Sequence, residues 1–209
     1  MDGVLVDNNK YHNIAWIEFC KRRNLQISEA EVVKRFGNQN IEYFKFLFGN
    51  HLSDEEYNKL GEEKEAIYRE IYEKDIKPAQ GLVKLLESLK EKGFKLAVAT
   101  SAIRNNLDFV LDKTNIRGFF NAFVDASMVA NGKPNPEVFV KTAGMLGVHP
   151  SDCLVFEDSV HGVEAAHSAG MKVIAITSTF EADQLKLADR IIKGFPEITS
   201  ENIVAILKS

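Results

Sequence analysis

The sequence predicts an α/β protein: a doubly wound, Rossmann-like parallel sheet with an inserted helical cap domain. Three observations carry this. Residues 10–74 space their apolar side chains as helices do, without strand-like alternation. From Gly81 onward, amphipathic helices alternate with short apolar runs, and oxygen-bearing side chains stand directly after several of those runs. Parallel strands joined by helices place ligands at the carboxyl ends of the strands, so the last observation bears on function as well as fold.

The elements follow in order. The chain opens with Met1-Asp2-Gly3-Val4-Leu5-Val6-Asp7, in which Asp2 precedes a loop. In the helical stretch, Tyr11, Ile14, Ala15 and Phe19 recur at helical spacing, and Tyr57, Leu60, Ile67, Tyr68 and Ile71 continue the pattern. Trp16 belongs most simply to the interior of this insert. Leu82, Leu85, Leu86 and Leu89 make an amphipathic helix closed by Gly93, and Lys95-Leu96-Ala97-Val98-Ala99 follows as a strand. Next come a helix over 103–113, a strand at Ala122-Phe123-Val124, and a helix after Asn135 with Pro136 in its first turn. Cys153-Leu154-Val155-Phe156 and Lys172-Val173-Ile174-Ala175-Ile176 are runs of the kind a parallel sheet buries on both faces, separated by a helix ending at Gly170. Arg190-Ile191-Ile192 and a helix over 201–207 complete the core. The expected boundaries are 1–8 and 79–209 for the core and 9–78 for the cap, with polar linkers at 6–9 and 75–79 that suit a paired hinge.

Composition narrows the function classes. At 209 residues, 45% hydrophobic and 27% charged, the chain has ordinary globular character and enough length for a sizeable interior. A net charge of −4 argues against nucleic acid or an anionic membrane as partner, since both need a concentrated basic surface. No stretch has the length and apolarity of a transmembrane helix, and the N-terminus lacks a signal-peptide layout. Cys20 and Cys153 lie among apolar residues and read as buried free thiols in a reducing compartment. The expectation is a cytoplasmic monomer or weak dimer.

Four motifs in a recognisable order carry a family resemblance: the opening Asp2-Gly3-Val4-Leu5-Val6-Asp7, Ala99-Thr100-Ser101, Gly132-Lys133-Pro134-Asn135-Pro136, and Glu157-Asp158-Ser159. The last extends as Glu-Asp-Ser-x-x-Gly-x-x-Ala-Ala-x-x-Ala-Gly through Gly170. Together they resemble the haloacid dehalogenase superfamily of phosphoryl-transfer enzymes, in its β-phosphoglucomutase-like phosphatase branch. The family's opening motif is Asp-x-Asp-Gly, whose first Asp is the nucleophile, and this chain begins at the motif's middle residue. The resemblance therefore puts the nucleophile directly before Met1, on a strand in the middle of the sheet. Alternate side chains of a strand point the same way, so that carboxylate would lie beside that of Asp2.

The resemblance implies a small phosphorylated metabolite as partner, Mg²⁺ as cofactor, and a role for each motif. Asp2 handles protons and offers its main-chain carbonyl to the metal, alongside Asp158 and Glu157, whose carboxylates suit a hard cation. The plainer reading is that Asp158 or Ser159 caps the following helix. Thr100 donates its hydroxyl to a phosphoryl oxygen, helped by the N–H groups of Ser101 and Ala102 at the start of the next helix; the alternative is an N-cap. Lys133 neutralises charge on the nucleophile and phosphoryl group, or is simply solvated. His12 resembles the hinge-proximal His that faces substrate in the β-phosphoglucomutase branch, and an ordinary polar His on a helix face fits equally well. Asn40, in the cap loop Gly37-Asn38-Gln39-Asn40, is a further substrate-binding candidate. Gly162, Ala165, Ala166 and Ala169 are small so that their helix can pack closely on the sheet.

An acid at Asp2 disfavours dehalogenation, whose enzymes lack one there. A mutase must hold a second phosphate, and the cations its pattern supplies are replaced here, although Arg35 and Arg104 are near. Hydrolysis of a small phosphate monoester through an aspartyl-phosphate intermediate is the expected reaction, with a sugar phosphomutase and a non-catalytic phosphometabolite-binding protein as alternatives.

Overall fold

The computed structural model describes residues 1–34 and 40–208. They form two compact units, Met1–Asp7 together with Ile76–Ser209, and Asn8–Asp75. Arg35 and the Gly37-Asn38-Gln39 part of the cap loop lie outside the described residues.

The second unit is the helical insert: α1 (Asn9–Arg22), α2 (Glu29–Lys34), α3 (Asn40–Phe48) and α4 (Asp54–Tyr72). α4 starts on a capping box in which Ser53 Oγ accepts from Glu56 N while the Glu56 carboxylate accepts from Ser53 N. The buried stripe of α1 is Tyr11, Ala15, Trp16, Phe19 and Cys20, whereas Ile14 is 45% exposed. On α4, Tyr72, four residues after Tyr68, continues the buried face, and Ile71 is only half-buried. Trp16 sits in the insert's interior, stacked on Tyr43 with ring centroids 4.2 Å apart.

The first unit is the α/β core. Its strands are β1 (Ala97–Ala99), β2 (Ala122–Val124), β3 (Leu154–Glu157), β4 (Lys172–Ile176) and β5 (Arg190–Ile192). Its helices are α5 (Leu82–Glu91), α6 (Arg104–Lys113), α7 (Glu137–Leu146), α8 (Val160–Ser168) and α9 (Ser200–Lys208). Among the described residues all strand pairings are parallel. The leucines of α5 at 82, 85, 86 and 89 are all buried, as their spacing requires. α7 packs on β1 and β2, α8 on β3 and β4, and the two helices touch. They share an apolar cluster in which Ala165 and Ala166 of α8 meet Val173 and Ala175 of β4, so small residues give the close helix–sheet approach. Cys153 is half-buried rather than buried, at the exposed start of β3.

The sheet departs from the single continuous one expected. The described strands form two groups, β1-β2 and β3-β4-β5. β4 has neighbours on both sides and buries Val173 to Ile176, whereas β3 pairs with β4 alone and leaves Leu154, Val155 and Phe156 half-buried.

Candidate active site

In the core, the opening residues fold into one tight turn. The Met1 carbonyl accepts from Val4 N at 3.2 Å and Leu5 N at 2.7 Å, and Gly3 adopts a left-handed φ of +66°. That conformation puts Gly3 against the tip of β3: a Cβ there would overlap Asp158 Oδ2. Glycine is therefore needed twice, for φ and for space. Gly3→Ala is expected to cost about 1–2 kcal/mol from the backbone alone and to push Asp158 aside, so thermal unfolding and Mg²⁺ titration should both register it.

Asp158 itself is not a helix cap. Ser159 takes that place, its Oγ accepting from Gly162 N at 3.0 Å. The Asp158 carboxylate instead accepts a hydrogen bond from Thr179 at Oδ2, and among the described residues nothing hydrogen-bonds Oδ1. Burial, and then the charge of Glu157 next to it, push this carboxyl up to about 6, with the Thr179 bond pulling the other way.

Glu157 departs from the expectation of a cation ligand, since both of its oxygens are engaged. Oε1 pairs with Lys133, while Oε2 accepts from Asp158 N at 3.0 Å, Ser159 N at 3.2 Å and Ser159 Oγ at 3.0 Å. Burial opposes its charge, yet Lys133 and these donors hold its carboxyl below the usual glutamate range. Gly162 is glycine because a Cβ at that position would overlap this carboxylate. Lys133 is thus not a solvated surface lysine: its side chain is 12% exposed and its Nζ lies 4.8 Å from the centre of the Phe139 ring.

Thr100 follows β1 and is buried. It caps no helix, because α6 begins only at Arg104. Its Oγ1 accepts from Ala102 N at 3.1 Å, which corrects the expectation for Ala102: that N–H is already taken, and neither it nor Ser101 stands at a helix start. Arg104 is held by carboxylates, Nε 2.8 Å from Asp108 and one terminal nitrogen 3.7 Å from buried Asp125.

Among the described residues no group of three His, Cys, Asp or Glu side chains is gathered to hold a metal. What the core offers a cation is a single carboxylate oxygen at Asp158, next to the turn that carries the Asp2 carbonyl. That fits Mg²⁺, which is commonly held by one or two carboxylates, waters and substrate phosphate rather than by an all-protein cage.

The helical unit brings His12 and Asn40 together through two residues that the sequence reading passed over. Lys64 Nζ lies 3.0 Å from His12 Nδ1 and 2.9 Å from Glu65 Oε1, and Asn40 Nδ2 donates to the same oxygen at 2.8 Å. His12 stacks on Tyr68 with centroids 4.0 Å apart, and Asn8 donates to the Tyr68 hydroxyl at 2.7 Å. Lys64 and Glu65 are 2% and 5% exposed. Their signal was available: Lys64 stands four residues from both Leu60 and Tyr68, a charge on an apolar helical stripe. Ser178 and Thr179, after β4, carried no comparable signal.

Comparison with known proteins identifies the family. A family model described as haloacid dehalogenase-like hydrolase matches residues 1–176. β-Phosphoglucomutase of Bacillus subtilis is 28% identical over 210 residues, covering 96% of this chain and 90% of that protein. A phosphorylated carbohydrates phosphatase of Thermotoga maritima is 37% identical over 190 residues, covering 83% and 81%. The crystal structure of a HAD hydrolase, family IA, variant 3, from Entamoeba histolytica superposes with a TM-score of 0.93 at 32% identity, covering 100% of this chain and 97% of that one.

Proposed function

The chain belongs to the haloacid dehalogenase-like hydrolases, and from that premise we propose a Mg²⁺-dependent phosphohydrolase acting on a small phosphate monoester, a sugar phosphate or similar metabolite. The observation that carries this reading is the paired arrangement at the tip of β3. Asp158 keeps one carboxylate oxygen open beside the opening turn, and the next residue back, Glu157, anchors Lys133. A cation holder and a positioned cationic side chain on adjacent residues suit phosphoryl transfer, which depends chiefly on positioning and charge stabilisation.

In the reaction proposed, an aspartate directly before Met1 attacks phosphorus in line and forms an aspartyl phosphate. Asp2 protonates the departing alcohol and then takes a proton from the water that hydrolyses the intermediate. Thr100 and Lys133 hold phosphoryl oxygens, and the Asp158 carboxylate with the Asp2 carbonyl would hold Mg²⁺. When bound, the ion offsets the negative charge of those oxygens. Hydrolysis is favoured over a mutase reaction because Arg104, the described cation nearest the Thr100 loop in sequence, is already neutralised by Asp108 and Asp125.

Among the described residues no helix is long and apolar enough to cross a membrane. The test is a protein extended upstream through an aspartate, assayed for phosphate release from para-nitrophenyl phosphate and a panel of sugar phosphates. Release is expected with Mg²⁺, and loss of it with EDTA or with asparagine in place of that aspartate. An extended protein inert across the panel would overturn the proposal, and an isomeric sugar phosphate without free phosphate would favour the mutase.

A further inference from the structure

Two hydroxyls just after β4 meet the two parts of the proposed cation site. Ser178 Oγ donates to the carbonyl of Gly3 at 2.5 Å, and Thr179 Oγ1 donates to Asp158 Oδ2. A Cβ built on Gly3 would come within 2.9 Å of Thr179 Oγ1 as well as overlapping Asp158, so the turn, the hydroxyl and the carboxylate are already in contact.

The terminal torsion of an aspartate has a broad, roughly two-fold profile, so a carboxylate on a strand tip takes its orientation from its hydrogen bonds. Among the described residues Thr179 is the one side chain that hydrogen-bonds this carboxylate. By occupying Oδ2 it leaves Oδ1 as the oxygen available to a ligand. Ser178 meanwhile ties the backbone next to Asp2 to the same loop. The loop after β4 therefore fixes both the spacing and the orientation of the oxygens that would meet an ion.

We propose that Thr179 is a positioning residue for a divalent cation at Asp158, with Ser178 holding the adjoining turn in register. The assignment rests on the reading above that Asp158 binds Mg²⁺. Residues that orient a metal's ligands change its affinity by about 10–100-fold when removed.

The experiment titrates Mg²⁺ alone, by calorimetry, into the full chain and into Thr179→Val, Thr179→Ser and Asp158→Asn, with thermal unfolding recorded without Mg²⁺. Thr179→Val is expected to weaken binding about 10–100-fold, and Thr179→Ser, which keeps the hydroxyl, to bind nearly as the parent does. Where valine prevents folding, Thr179→Ala takes its place. Parent-like binding by Thr179→Val, or equal weakening by valine and serine, overturns the role of the hydroxyl while leaving Asp158 as ligand. Parent-like binding by Asp158→Asn, or no binding by the parent, overturns the cation reading and this proposal with it.

Discussion

Lys133→Met is expected to destabilise the core by about 3–5 kcal/mol, because it leaves the Glu157 carboxylate buried without its counter-charge. Against burial, the Glu157 carboxyl is held down first by the charge of that lysine and then by that of the Met1 ammonium. Its other donors, two backbone N–H groups and the Ser159 hydroxyl, form hydrogen bonds but carry no compensating charge. In the upstream-extended protein, turnover should fall about 10²–10³-fold as well, the loss typical of removing one preorganised charge-stabilising donor. The double variant Lys133→Met with Glu157→Gln separates the two effects. It should recover much of the stability, since position 157 then carries no buried, unpaired charge, and none of the turnover. Calorimetric unfolding and steady-state kinetics on the single and double variants check this, and joint recovery of both would show that Lys133 acts only through folding.

The second large effect lies in the helical unit. Lys64→Met removes a cation that is 2% exposed and leaves Glu65 buried beside His12 and Asn40. The expected cost is again about 3–5 kcal/mol, a fall in unfolding temperature of roughly 10 °C for a protein of this size. Glu65 adds a pH signature. Burial would raise its carboxyl, but Lys64, His12 and Asn40 together hold it below the ordinary value of 4.5. A depressed folded-state carboxyl contributes stability above the unfolded value, and that contribution is lost as pH falls through the folded one. The protein should therefore lose stability below about pH 4.5 by this route, and Glu65→Gln should not. The gap between parent and Glu65→Gln, wide at neutral pH, is expected to narrow in acid; a constant gap from pH 7 to pH 3 would show that Glu65 carries no charge in the folded protein.

Periodicity and spacing made the architecture readable. The helices of the insert, the leucine face of α5 and all five strands appear in the sequence because each buries one side or both, and burial imposes a period of 3.6 or a continuous apolar run. The motifs at strand ends were legible for a related reason: Thr100 directly follows β1 and Asp158 directly follows β3, at the carboxyl ends where parallel sheets place ligands. Errors came where a single residue's side depends on a few tens of degrees, as with Ile14 and Ile71.

Pairings between distant residues are another matter, since no local pattern records which partner a side chain meets. The sequence by itself determined the α/β class, the helical insert, the family and the residues from which a phosphate site could be built. Only the tertiary structure decided their distant partners: Glu157 to Lys133, and His12 and Asn40 to Lys64 and Glu65. The physical reason is that hydrogen bonds and buried ion pairs form between groups 24 to 52 positions apart, as Lys133 with Glu157 and His12 with Lys64, and are chosen by three-dimensional proximity and by the cost of leaving a buried polar group unpaired.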